Sequence, residues 1–189
     1  MIYGSYKNLR DSAWQCLIDY KVNSLPVDIL IIARKANITV LKNSTVMKLQ
    51  PSESGMSYFN GKRWYIVYDD ESTVERKRFT IAHELGHIFL GHELKQGYLA
   101  RTKTFDSKPE IEREADMFAS RILCPSCVLW GLNLHTPEEI SKVCRVSLSA
   151  ARVRADRLKV LCERNMFLTS PLERTLYKNF ENFIKNYRE

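Results

Sequence analysis

Phe79-Thr80-Ile81-Ala82-His83-Glu84-Leu85-Gly86-His87-Ile88-Phe89-Leu90 is the stretch on which the reading of this chain turns. Only Thr80, His83, Glu84 and His87 are polar in it; Gly86 aside, the rest are apolar. Those four stand at i, i+3, i+4 and i+7, so on a helix they form one polar stripe along a greasy cylinder. A helix that apolar is buried, and its stripe must then be satisfied by something other than bulk water. His83-Glu84-Leu85-Gly86-His87 supplies the chemistry for that. Two His residues four apart sit about 40° apart around a helix axis, so one ring nitrogen of each can reach a single Zn²⁺. The Glu between them is then placed to act as general base on a water at that site. Two core histidines with ordinary hydrogen bonds would explain neither the Glu nor the spacing.

A catalytic zinc site takes three protein ligands and leaves a fourth position open. The extended pattern H-E-x-x-H-x-x-G-x-x-H would need Gly and His where this chain has Leu90 and Glu93, so that class is rejected. His92 falls one residue early and reads as a polar residue where the helix ends. The other source of a ligand is Glu112-Arg113-Glu114-Ala115-Asp116. Pro109 opens a helix there that ends near Pro125, with Ile111, Ala115, Phe118, Ala119, Ile122 and Leu123 as its apolar face. Glu112 lies roughly 60° from the centre of that face, and Glu114 and Asp116 roughly 100° off on opposite sides. Glu112 is therefore the carboxylate best aimed inward. Asp116, one turn on, is placed to hold the second nitrogen of a ligating histidine, and Glu114 reads as a solvated surface charge.

Around this centre the chain has 189 residues, 44% apolar and 27% charged, which excludes a disordered chain. The longest aliphatic run, Ile29 to Ala33, is far too short for a membrane span. Asp11 and Asp19 interrupt the N-terminal stretch, and with no apolar run after Met1 no secretory signal is expected. The five cysteines, Cys16, Cys124, Cys127, Cys144 and Cys162, then read as reduced thiols of a cytoplasmic protein. Cys124-Pro125-Ser126-Cys127 lacks the second pair a zinc ribbon needs and reads as incidental.

The spacing predicts helices over about 7–21 and from Pro26 to Ala36, a strand over 38–41, and a loop-like stretch from Asn43 to Asn60. Trp64 to Tyr68 is β-rich after an Asn60-Gly61 turn, and reads either as the edge strand beside the cleft, where an extended substrate could add, or as simple packing within the sheet. The helix over about 73–90 is followed by a connecting loop over 91–108. Beyond Trp130-Gly131 the composition shifts, which sets a boundary at residue 131 between a domain over 1–131 and a helical part over 132–189. Thr136-Pro137-Glu138-Glu139 is a capping-box helix start. Helices over 137–144 and 148–163 follow, joined by a three-residue turn, and then one helix from Leu172 onward. That pair is helix-turn-helix-like, with Ala151, Ala155, Leu158 and Cys162 inward and Arg152, Arg154, Arg157 and Lys159 outward. The net charge of +7 permits a DNA surface. One basic helix is a weak signal, however, and packing or docking on a protein is the preferred reading.

Arg78 to His87, with Glu112-x-Glu114-Ala115-Asp116-x-Phe118-Ala119 and Ile122-Leu123-Cys124-Pro125, resembles the ImmA/IrrE family of metallo-endopeptidases over residues 63–160. The resemblance implies an α+β, mostly helical, zincin-like core with a small sheet, carrying zinc on His83, His87 and Glu112 with Glu84 as base. It also implies a helix-turn-helix repressor as substrate, whose cleavage switches on phage, mobile-element or stress genes. Cys124 stands where the family pattern has Met, and Asp116 where Asn is frequent. The rival reading is a DNA-binding regulator with an inactive zincin fold. A further oxyanion donor is sought among Tyr68, Tyr98 and His92.

Overall fold

The computed structural model describes residues 9–92, 98–102 (as backbone) and 109–189. Among them are ten helices and four strands. In order these are α1 (Leu9–Asp19), α2 (Ile29–Lys35), β1 (Thr39–Lys42), α3 (Asn43–Val46), β2 (Glu53–Phe59), β3 (Trp64–Tyr68) and α4 (Val74–Leu90). Then follow β4 (Tyr98–Thr102), α5 (Glu110–Leu123), α6 (Ser126–Gly131), α7 (Pro137–Cys144), α8 (Leu148–Glu163), α9 (Pro171–Asn179) and α10 (Glu181–Arg188). The fold is α+β and mostly helical, as the sequence implies. Among the described residues no helix is long and apolar enough to cross a membrane.

The chain divides into two compact units. One comprises Leu9 and Ile29–Ala119; the other comprises Arg10–Asp28 and Ser120–Glu189. The division runs through α5, and residue 131, where the composition shifts, falls inside the second unit. A change of composition reports which residues meet solvent, whereas a unit is defined by which residues touch.

In the first unit the strands form one sheet in the order β1-β3-β2-β4. β1 runs parallel to β3, and β2 runs antiparallel to both β3 and β4. Two expectations need correction. β3 is not an edge strand: it lies between β1 and β2, and the sheet edges are β1 and β4. The stretches read as loops over 43–60 and 91–108 contain α3 and β2, and β4, respectively. β2 escaped notice because its centre, Ser54-Gly55-Met56-Ser57, carries three small residues typical of turns. All four are buried, and Gly55, Met56 and Ser57 are paired on both sides. Tertiary pairing overrides the weak local strand preference of Ser and Gly. The Asn60-Gly61 turn does join β2 to β3: Asn60 Oδ1 accepts from the N–H groups of Lys62 and Arg63, and Gly61 takes φ +87°.

In the second unit α7 and α8 have the predicted bounds. Thr136 accepts from the Glu139 N–H while Glu139 reaches back to the Thr136 N–H, completing the capping box. Arg145 ends α7 in the left-handed region, and Ser147 caps α8 by accepting from the Ala150 N–H. Two side chains of α8 depart from expectation. Cys162 is exposed rather than inward. Arg154 is buried rather than outward, with Nη2 donating to the Cys124 carbonyl at 2.7 Å and to Ser126 Oγ at 2.5 Å. Residues 151, 154, 155 and 158 share one helical stripe, so Arg154 lies on the buried face and is held there by hydrogen bonds. The single terminal helix expected from Leu172 is two, α9 and α10, meeting at Phe180, which is itself buried.

Candidate metal centre

α4 begins where its sequence says it should. Thr73 Oγ1 accepts from the Arg76 N–H, and Glu75 sits in the first turn, where a negative charge meets the positive end of the helix dipole. The helix packs on β2 and β3. Every residue from Thr80 to Leu90 is buried, His83 and Glu84 completely. The polar stripe is therefore an interior feature and not a solvated face.

α5 approaches α4 at one narrow point. A Cβ placed on Gly86 would stand 3.2 Å from both Cα and O of Ala115 and 3.2 Å from Phe118 Cδ1. The two backbones thus nearly touch, which only a glycine allows. Phe89 and Phe118 close the contact one turn further on, edge to face with centroids 6.2 Å apart. With Ala115 fixed against Gly86, Glu112 is set one turn before the contact and Asp116 immediately after it, both beside the histidines.

The resulting geometry is compact. His83 Nε2 and His87 Nε2 are 3.0 Å apart. Glu112 Oε2 lies 3.2 Å from the first and Oε1 lies 3.1 Å from the second. One ligand atom from each of the three residues falls within 4.8 Å of the others, so this group can hold a metal ion. The fit is chemical as well as spatial. Glu112 Oε2 is buried without a hydrogen bond of proper geometry, a lone acceptor that a cation would satisfy. Neighbouring ligand atoms around tetrahedral zinc with bonds near 2.0–2.1 Å stand about 3.3 Å apart, close to the separations here. Burial by itself would raise the Glu112 carboxyl, yet the adjacent His83 and His87 rings outweigh it and hold the group far below its usual range. Burial lowers His87 against the opposing pull of Glu112, and so favours the neutral ring that can ligate.

The outer partners are equally defined. Asp116 Oδ1 lies 2.8 Å from His83 Nδ1, the place read for it from the helix face. His92 stands where α4 ends, as read, but it also meets His87, and Glu114 is not where the sequence reading put it. His92 Nδ1 lies 2.8 Å from His87 Nδ1, and its Nε2 lies 3.1 Å from Glu114 Oε2. Glu114 is consequently a partner of His92 and not a freely solvated charge. The signal for this was present in Leu90-Gly91-His92. Gly91 closes α4 at φ +73°. The N–H of His92 bonds to the His87 carbonyl at 3.1 Å and that of Gly91 to the Ile88 carbonyl at 3.3 Å. This is a Schellman ending, which folds the residue after the glycine back over the last turn.

Gly55 is the residue that sequence reasoning missed. A Cβ there would meet Thr80 Cγ2 at 2.3 Å and Glu84 Oε1 at 3.3 Å, so β2 passes directly against the Glu84 carboxylate. A register shift between Glu53 and Gly55 in the β2–β4 pairing marks the same place. Of the oxyanion candidates, Tyr68 is the register partner of Gly55 on β3. The side chain of Tyr98 lies outside the described residues, and His92 is engaged with His87.

No curated protein matches the chain. The sequence profile of one family, the IrrE N-terminal-like domain (Peptidase_M78), matches residues 33–156. That range holds all four strands, α4, α5 and every residue of the cluster, and it covers well over half of the sequence, so the chain belongs to this metallopeptidase-type family.

Proposed function

We propose that this protein is a zinc-dependent endopeptidase that cleaves a cytoplasmic helix-turn-helix repressor and so relieves repression of phage, mobile-element or stress genes. The observation that carries the reading is the convergence of His83 and His87 from buried α4 with Glu112 from α5, beside Glu84, in a chain of a metallopeptidase family. His83, His87 and Glu112 are the residues that would hold zinc, which when bound lowers the pKa of a water towards neutrality and polarises a peptide carbonyl. Glu84 takes the proton of the attacking water and returns it to the leaving amine as the C–N bond breaks. Burial of Glu84 excludes bulk water from that transfer. Asp116 holds the ring of His83 in place by its Nδ1. The repressor as substrate rests on the family resemblance, and the sequence features that accompany it are the helices α7 and α8.

The test is incubation of purified zinc-loaded protein with a helix-turn-helix repressor encoded in the same gene neighbourhood, with and without chelator. Chelator-sensitive appearance of two fragments, with the cut located by mass spectrometry, is the expected result. An intact repressor, together with cleavage of an unrelated unfolded protein, would retain the peptidase and discard this substrate.

A further inference from the structure

Resting on the reading of His87 as a zinc ligand, we propose that His92 and Glu114 act in series as positioning residues for it. They fix the tautomer in which Nε2 of His87 is free to bind metal. His87 Nε2 faces Glu112 and His83, so for Nε2 to hold a cation the ring proton must sit on Nδ1. That N–H points at His92 Nδ1, 2.8 Å away, which must accept and therefore carries no proton. The proton of His92 is then on Nε2, and it donates to Glu114 Oε2 at 3.1 Å. In the reverse arrangement His92 would donate to His87, leaving a proton on the metal-facing nitrogen. It would also set the bare Nε2 lone pair of His92 against the Glu114 carboxylate. Glu114 disfavours that arrangement, and one carboxylate thereby sets two tautomers.

The two ligating histidines are thus served differently. His83 reaches its carboxylate, Asp116, directly, while His87 reaches Glu114 only through His92. Both carboxylates come from α5, two and four residues after Glu112, so a single helix carries the third ligand and the anchors for the other two. The backbone bond from the His92 N–H to the His87 carbonyl holds the intermediate ring in register. The His92 side chain is 8% exposed and that of Glu114 34%, so the series runs from the buried centre to the surface.

The test is zinc affinity, read by competition with a chromophoric chelator, for the wild type, His92→Phe, Glu114→Ala, the double variant, and Asp116→Ala combined with His92→Phe. Melting of each metal-free protein is measured beside it. Loss of an outer partner typically weakens metal binding by about 10- to 100-fold. We expect that loss in His92→Phe, with metal-free melting unchanged, and a smaller loss in Glu114→Ala. The series arrangement adds a requirement that a merely structural role would not meet. Glu114→Ala should cost nothing further once His92 is Phe, whereas Asp116→Ala should weaken binding again. Wild-type affinity in His92→Phe, or the same cost for Glu114→Ala in both backgrounds, overturns the proposal. Should His92→Phe fail to fold, Glu114→Ala at its partly exposed position decides, and unchanged affinity there overturns it too. A wild-type chain that binds no zinc refutes the underlying metal reading, which is a distinguishable outcome.

Discussion

At the scale of single residues, Glu84, His83, His87 and Glu112 are all buried, yet their proposed roles separate under substitution. Glu84→Gln keeps size and shape, so α4 should pack as before and zinc should stay bound. The amide cannot accept a water proton at neutral pH, so the general-base contribution, typically about 10²–10⁴-fold, is lost. Repressor cleavage on gels, alongside zinc content, checks this; wild-type cleavage by a zinc-replete Glu84→Gln protein would refute the role. Glu112→Ala should instead drop zinc well below one per chain by elemental analysis. Near-stoichiometric zinc in that variant would move the third ligand elsewhere, to Glu114 or His92 first. Acid should have the same effect by another route. Burial lowers His87 from its ordinary value of 6.5, so the neutral ligand form survives to lower pH than in a free histidine. Zinc should therefore remain bound as pH falls to 6.5 and be released below it, as protons displace the metal from the rings.

At the scale of elements, the site depends on how closely α4 and α5 approach. Gly86→Ala places a methyl 3.2 Å from the Ala115 backbone, which cannot swing aside as a side chain can. Alanine favours the helix by about 1 kcal/mol, but overpacking of this kind costs about 1–3 kcal/mol, so a net loss is expected. Zinc affinity should fall with it, because separating the helices withdraws Glu112 from the histidines. Urea unfolding with a chelator titration measures both, and a stabilised Gly86→Ala protein with full affinity would show that the contact yields. β2 offers a parallel case at Gly55, where the obstacle is the stiff, branched side chain of Thr80 and, behind it, Glu84.

At the scale of the whole molecule, the charge of +7 and the α7–α8 pair raise the question of DNA. α8 keeps Arg152 and Arg157 exposed but commits Arg154 to Cys124 and Ser126 inside its own unit. That removes one of the basic side chains a recognition helix would present. We expect no operator complex with a steep salt dependence. Mobility-shift titrations at two salt concentrations, for the wild type and Arg152→Ala, check this. A specific complex lost on Arg152→Ala would restore the rival reading of a DNA-binding regulator.

The sequence by itself determined the parts whose physics is local. The periodicity of Phe79 to Leu90 fixed α4 and its polar stripe, the His83–His87 spacing brought together two residues that could hold a metal, and the face of α5 selected Glu112 and placed Asp116. The cap at Thr136 lies within three residues of what it binds, and the start of α7 was legible for that reason. Only the tertiary structure decided the strands β2 and β4: Ser54, Gly55 and Ser57 carry little strand preference, and β4 finds its partner far away in sequence, Tyr98 opposite Tyr58. It likewise decided that β3 is internal, that Gly55 faces Glu84, and that Glu114 meets His92 across a gap of 22 residues. A helical wheel gives the direction in which a side chain leaves its own helix. It cannot show what stands on the other side, and the second partner of His87 was a question of that kind.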